Sequence, residues 1–184
     1  MVVVQQFILS AGGGAFYSYQ IEQSVRFDSA SSSYMNRTFG SAGNRRTGTL
    51  SAWVKRVTLG TQMVIFNAHI NNGDQDQLFN FLSTDKITAW FDGANYGDVV
   101  TQGVHRDTSS WGHFVLAWDT TQATASNRIK WYLNGTQITD LENYNGSGSA
   151  VYPSQNQEMW FNGAYEHAIR IVTGKHYHYN FLNL

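Results

Sequence analysis

The sequence contains no cysteine, so no disulfide staples the fold and no thiolate site holds a metal. Its one proline, Pro153, lies in a polar stretch. Charge is scarce: Asp, Glu, Lys and Arg make up 14% of the chain, where about 25% is usual. Lys+Arg 12 against Asp+Glu 13 leaves a net charge of -1. Nucleic-acid binding needs a basic face, and this balance excludes it as an expectation. No apolar run reaches the ~18 residues of a membrane helix, so no membrane partner is expected. The apolar start, Met1 to Gly14, has no positive region and is interrupted by Gln5-Gln6, a poor fit to a secretory signal. Helical periodicity is also missing, and no long helix is predicted.

What is present is neutral and polar, with many rings. The 184 residues include 15 Asn, 12 Gln, 16 Ser and 15 Thr, which must supply the solubility that charge does not. Aromatics reach 15%, enough to argue against disorder in the body of the chain. The length suits one domain, or one domain plus an arm. Composition changes near residue 22. Residues 1–21 read as an arm: a sticky segment with Val2, Val3, Val4, Phe7, Ile8 and Leu9, a hinge at Gly12-Gly13-Gly14, then Phe16, Tyr17 and Tyr19. These side chains are the expected partner-binding residues of the arm. Residues 22–184 read as the domain.

Within the domain, period-2 patterns and turn signals recur every 8 to 12 residues, as in an all-β sandwich or barrel. The run from Gly48 to Arg56 puts Leu50, Ala52 and Val54 on one face and Trp53 on the other. Met63 to Ile70 is a nearly continuous apolar run, expected of a strand covered on both sides. Gln77–Leu82 and Lys86–Phe91 form a predicted hairpin across Ser83-Thr84-Asp85, and Asn134-Gly135 predicts a type I′ turn between two strands. Gly163 to Thr173 predicts a further strand, with the segment from His176 to Leu184 continuing it beyond a break at Gly174.

The order of motifs is specific. Thr49-Leu-Ser-Ala-Trp-Val-Lys55 precedes Trp111-Gly-His113, then Ala117-Trp-Asp119, then Trp131-Tyr-Leu-Asn-Gly135. This pattern resembles the laminin-G-like, concanavalin-A-like jelly-roll family. Ser24 to Tyr34, Ser41 to Arg46 and Ala117 to Arg128 are more narrowly similar to laminin-G-like proteins of aquatic bacteriophages. The resemblance spans about residues 17 to 169 and implies an antiparallel jelly-roll β-sandwich. Trp53, Trp111, Trp118 and Trp131 have the bulk to fill a gap about 10 Å deep between sheets. Asp119 is placed to accept from loop N–H groups. The family's closing strand is absent or atypical here, so the tail is expected to cover a sheet edge, its own or a neighbour's.

Function expectations follow from chemistry and resemblance together. Glycoside hydrolysis needs two carboxyl groups roughly 5 to 9 Å apart. There are four glutamates, Asp140-Leu-Glu142 is the one D-x-E, and no carboxyl stands at Ile138; no enzyme is expected. Ca²⁺ is a candidate at Asn71 to Asp76, Asp92 or Asp98, without strict ligand spacing, and no cofactor is expected. His167, His176 and His178 read as edge histidines rather than a zinc set, and His113 as a structural hydrogen-bonding group. Trp90, Asn95 and Tyr96 are candidate glycan contacts. The resemblance implies a non-enzymatic virion protein on the particle surface. The first role is a capsid decoration (cement) protein, a homotrimer gripping the major capsid protein or other virion subunits. The alternative is a lectin-like module of a tail or fibre tip that binds host surface glycan.

Overall fold

The computed structural model describes residues 24–27, 34–69, 76–91, 97–144, 146, 148–161, 163–164, 166–170 and 177–181. These form two antiparallel sheets packed face to face. In chain order the strands are β1 (Val25–Phe27), β2 (Tyr34–Thr38), β3 (Thr47–Arg56), β4 (Met63–His69), β5 (Asp76–Phe81), β6 (Ile87–Phe91), β7 (Gly97–Thr101), β8 (Gly112–Asp119), β9 (Ile129–Leu133), β10 (Thr136–Ile138), β11 (Leu141–Glu142), β12 (Glu166–Arg170) and β13 (Tyr177–Phe181). The first sheet runs β1-β13-β3-β8-β9-β10 and the second β11-β7-β6-β5-β4-β12-β2. Among the described residues the helical content is one short 3-10 turn, Ala125–Asn127.

Alternation sets the core. Leu50, Ala52 and Val54 of β3 face inward with Phe114, Leu116 and Trp118 of β8 and Ile129 and Trp131 of β9. The opposing sheet supplies Phe79, Phe81, Ile87, Ala89, Phe91 and Val99. Strand β4 contributes Met63, Ile65, Phe66 and Ala68, and its register shifts between Val64 and Phe66. That irregularity lets the neighbours Ile65 and Phe66 both reach the core. The ring of Trp131 packs 4.8 Å from that of Phe79, and Trp118 lies 5.5 Å from Phe161. Only these two of the four candidate tryptophans fill the gap. Trp53 shares its face with Ser51, opposite Ala52 and Val54, and stacks on His113 at 5.0 Å outside the sandwich. Trp111 precedes β8 and is half-buried.

Turn chemistry pins the register. The β5–β6 loop is the three-residue Ser83-Thr84-Asp85, with Asp85 in the left-handed region at φ 66. A type I turn followed by a left-handed residue suits hairpin twist, and Asp tolerates that conformation. Asn134 (φ 50) and Gly135 (φ 82) both carry positive φ, as a type I′ turn requires.

The C-terminal strands lie inside the sheets. β13 sits between β1 and β3, with Tyr179 opposite both Val25 and Val54. β12 sits between β4 and β2. The tail therefore pairs within its own chain and supplies an inner strand where the resemblance left an open edge. Beyond the strands, Met159, Trp160 and Phe161 also belong to the core.

Candidate functional site

The outward face of the second sheet carries side chains that a solvent-facing or apolar strand would not need. Register defines two rows there. One runs Asn67, Leu78, Trp90 and Asp98 across β4, β5, β6 and β7; the next runs Val64, Asn80, Thr88 and Val100. Asn67 lies between the core residues Phe66 and Ala68, Asn80 between Phe79 and Phe81, and Thr88 between Ile87 and Ala89. Alternation directs all three away from the core. Asn67, Asn80, Thr88 and Asp98 thus form a polar seam, one side chain per strand over four neighbouring strands. Strand spacing gives it a length of about 14 Å.

The seam is covered. Asn67 is 2% exposed, and Asn80, Thr88 and Asp98 are each 1% exposed. Asn67 Oδ1 and Asn80 Oδ1 nevertheless accept no hydrogen bond. A buried acceptor without a donor costs about 1–3 kcal/mol, and two on one face mark a place where ligand donors would be rewarded. Thr88 Oγ1 donates to Asp98 Oδ1 at 3.4 Å, and the Tyr144 N–H donates to Asp98 Oδ2. Half-buried Trp90 borders the seam, with the Tyr144 ring edge-on at 5.9 Å. Tyr144 belongs to the loop between β11 and Val151, both of which pair with β7. At the sheet margin Lys86 Nζ is held by Glu142 Oε1.

Other polar clusters also carry buried groups without a partner, Arg56 Nε in one and Trp118 Nε1 in another. At one end of the sandwich, Asp85 Oδ1 accepts from Arg56 Nη2 and the Gly60 N–H, both at 2.8 Å, and Oδ2 from Arg106 Nε at 3.0 Å. Burial alone would raise the Asp85 pKa, but the Gly60, Arg56 and Arg106 hydrogen bonds outweigh it and hold the carboxyl below its ordinary value. Arg56 also donates to the His105 carbonyl at 2.6 Å and lies 4.3 Å over the Phe81 ring. Burial first, then the Arg56 charge, pushes His105 down to about 4. This cluster ties the β5–β6 turn to β3 and to the β7–β8 loop.

On the outer face of the first sheet, a shallow depression of about 360 Å³ is lined by Thr47, Thr49, Asp119, Gln122 and Lys130 among others. Asp119 is engaged there by the Thr121 hydroxyl (2.6 Å), Gln122 Nε2 (2.6 Å) and the Thr121 N–H (3.1 Å). Those bonds, Thr121 first, lower its pKa. They are the strand-end role expected for it. His113 Nε2 pairs with Ser51 Oγ at 2.7 Å, a structural bond between strands.

The sequence candidates are distributed unevenly. Trp90 stands beside the seam. Asn95 and Tyr96 lie outside the described residues, as do Val2, Val3, Val4, Phe7, Ile8, Leu9, Phe16, Tyr17 and Tyr19 of the arm. Asn71 to Gln75, Asp92 and His176 also lie outside them. His167 and His178 fall in different sheets, on β12 and β13, so the fold separates them. Sequence reasoning missed Asn67, Asn80, Thr88 and Tyr144. For the first three the available signal was a polar residue between two core positions of a strand: Asn67 between Phe66 and Ala68, Asn80 between Phe79 and Phe81, Thr88 between Ile87 and Ala89.

Two comparisons bear on this architecture. A search of the curated proteins found no match. A laminin-G-type family model, described as the concanavalin A-like lectin/glucanases superfamily, matches residues 7–175. With its two antiparallel sheets and that match over most of its length, the chain belongs to the concanavalin A-like lectin/glucanases superfamily.

Proposed function

We propose that the chain is a non-catalytic glycan-binding module of a bacteriophage particle. The carrying observation is the seam: two buried carboxamide oxygens without donors, a buried carboxylate and a bordering tryptophan, all on one outward sheet face. Sugars match that set. Their hydroxyl groups donate to amide and carboxylate oxygens, and their C–H faces pack on an indole. Superfamily membership supports the same class of ligand. Entry of a glycan exchanges the Tyr144 contacts over Trp90 and Asp98 for contacts with sugar.

The absence of catalysis is part of the proposal. Asp98 is spent on Thr88 and the Tyr144 backbone, and the nearby Glu142 is spent on Lys86. The phage setting is supported by the likeness of Ser24 to Tyr34, Ser41 to Arg46 and Ala117 to Arg128 to laminin-G-like phage proteins. Within a particle, the seam favours a tail or fibre-tip position over capsid decoration, since a cement protein has no need of orphaned acceptors. The expected homotrimer belongs to the same proposal.

A glycan array with the purified protein tests the central point. Binding that is lost on replacing Trp90 with Ala, without release of reducing ends from the bound glycan, is the expected result. No binding to any glycan overturns the proposal. A copy-number inventory of purified particles then separates the placements: a few to tens of copies for a tail, hundreds for a shell.

A further inference from the structure

We infer that the outward face of the first sheet docks a partner protein through an acidic surface segment that also carries apolar side chains. This face lies on the opposite side of the sandwich from the seam, so either proposal can fail without the other. Alternation directs Arg26 of β1, Trp53 and Lys55 of β3, Val115 of β8 and Lys130 and Tyr132 of β9 outward, since the residues beside them belong to the core or pack against it. The seam is covered, but here Arg26 is exposed and the other five are half-buried. Register joins Arg26 and Lys55 in one row: both pair with position 178, a histidine, on β13. Two strand spacings set them about 10 Å apart. Among the described residues neither takes part in an ion pair. Like charges ranged across a ladder repel, and a carboxylate laid over the row relieves that repulsion. With Lys130 also on this face, its described cations outnumber its one described carboxylate, Asp119, on a chain whose net charge is -1.

The middle of the face decides the kind of partner. Between the Arg26–Lys55 row and Lys130 stand Trp53, Val115 and Tyr132, with Val115 paired to both Ser51 and Tyr132. The Trp53 ring stacks on His113 at 5.0 Å, and Ser51 Oγ pins that imidazole at 2.7 Å, so the indole rests on a fixed support. An apolar centre with charge at its rim is the anatomy of a protein contact, where Trp, Tyr and Arg are enriched. A nucleic acid or an acidic polysaccharide is served better by an unbroken line of cations. Lys130 lies in the row of Thr49, six residues along β3 from Lys55. That is about 20 Å, twice the screening length at 0.1 M salt. A second copy is a poorer occupant. Asp85 and Asp98 are buried, and Asp107, Asp119, Glu142 and Glu158 are held by the chain's own donors. Six strands wide and about 20 Å long, the face offers roughly 500 Å². Doubled across both partners, that is the lower bound of a specific contact and suits a reversible one.

The test is an array of short peptides graded in charge and apolar content, probed with the full chain, then solution titration of the strongest binders. Peptides with both carboxylates and aromatic or branched side chains are expected to bind, and charge-reversed counterparts to bind about tenfold or more weakly. Reversing the row with Arg26→Glu and Lys55→Glu together should weaken the acidic binders by about tenfold or more. Trp53→Ala should weaken them by a similar factor, through the centre of the contact. If the double variant does not fold, Lys55→Gln and the wild-type salt response decide: binding should fall as NaCl rises from about 50 to 500 mM. No preference for acidic peptides, or binding unchanged in the variants, would overturn the inference. So would polyglutamate, dextran sulfate or a DNA oligonucleotide bound as tightly as the mixed peptides, which makes the face a polyanion site. Sedimentation showing that the double variant dissolves an assembly of the chain with itself would also overturn it, by making the occupant a second copy.

Discussion

Replacing Asp85 with Asn removes a charge and turns one of two accepting oxygens into a donor, set against Arg106 Nε or against Arg56 and Gly60. The side chain keeps its size, and Asn tolerates the left-handed φ of 66 that the turn demands. What changes is the position of Arg56. Its side chain is 2% exposed and that of Asp85 5%, so the pair sits in a region that water barely screens. Removing one partner of a buried pair costs about 3–5 kcal/mol, because the other charge stays buried without compensation. Arg106, 61% exposed, recovers hydration and adds little to the loss. With a urea slope of about 2 kcal/mol/M, the midpoint should fall by about 1.5–2.5 M. Adding Arg56→Met in the Asp85→Asn background should restore much of this, since it removes the stranded charge. Restoration should be incomplete, because the His105 carbonyl loses its donor. The acid limb gives a second readout. The Asp85 pKa is depressed on folding, so its stabilisation is present above about 3.8 and is lost as pH falls through the folded value. The variant should lack that contribution. A loss under about 1 kcal/mol for the single variant, or a double variant no better than the single, would refute the reasoning.

Four further outcomes follow from particular contacts. His105 is held down to about 4 on folding against about 6.5 unfolded, so the unfolded chain binds the extra proton and stability should decline by about 2–3 kcal/mol from pH 6.5 to 4; His105→Gln should flatten that part of a thermal-midpoint profile. Gly48→Ala places a Cβ 2.2 Å from Trp118 Cζ2, and should cost about 1–3 kcal/mol in urea unfolding with altered tryptophan fluorescence. Amides across Tyr177–Phe181 should resist hydrogen exchange in the isolated protein, because β13 is an inner strand; fast exchange there would contradict the pairing. Asn80→Leu should weaken glycan binding and raise stability by less than about 1 kcal/mol, since the gain from removing a buried acceptor without a donor is offset by losing the 3.3 Å bond from Nδ2 to the Phe81 carbonyl; a fall in stability would show that the amide serves the fold instead.

Much of the fold was legible because local rules and global packing agree. The alternation of Leu50, Ala52 and Val54 against Trp53 appears unchanged as the two faces of β3. The Asn134-Gly135 turn and the Ser83-Thr84-Asp85 hairpin stand where turn chemistry put them. Legibility failed where pairing partners are distant. β2 and β11 are short or polar, and take strand form only because β12 and β7 present matching ladders. β7, Gly-Asp-Val-Val-Thr, opens on residues that disfavour strands. The bulk of Trp53 suggested core, but a tryptophan's size does not fix its face; parity does. The tail offered alternating bulk with no sign of which edge would take it. Its position between β1 and β3 joins residues about 120 to 155 apart in sequence, a relation no local pattern encodes.

The seam was hidden for a sharper reason. Its members come from four strands between residues 67 and 98, and each looks like a minor flaw in a strand of good apolar character. Asn67 interrupts Met63 to Ala68, a run read as covered on both sides. That reading was right about burial and silent about what the cover meets. Only register shows that Asn67, Asn80, Thr88 and Asp98 fall on neighbouring strands of one face. Isolated, each would be a tolerated polar residue. Together they place two orphaned oxygens and a carboxylate under cover, an arrangement that lowers stability and that a sandwich built for stability alone would replace with Val or Leu at no loss of fold. The neighbouring positions Val64 and Val100 show that the same face accepts such residues. Polar side chains held at a cost beside apolar ones that would serve the fold better are what the glycan-binding proposal rests on, and it is this contrast along the two rows, more than the presence of any aromatic, that the glycan array puts to the test.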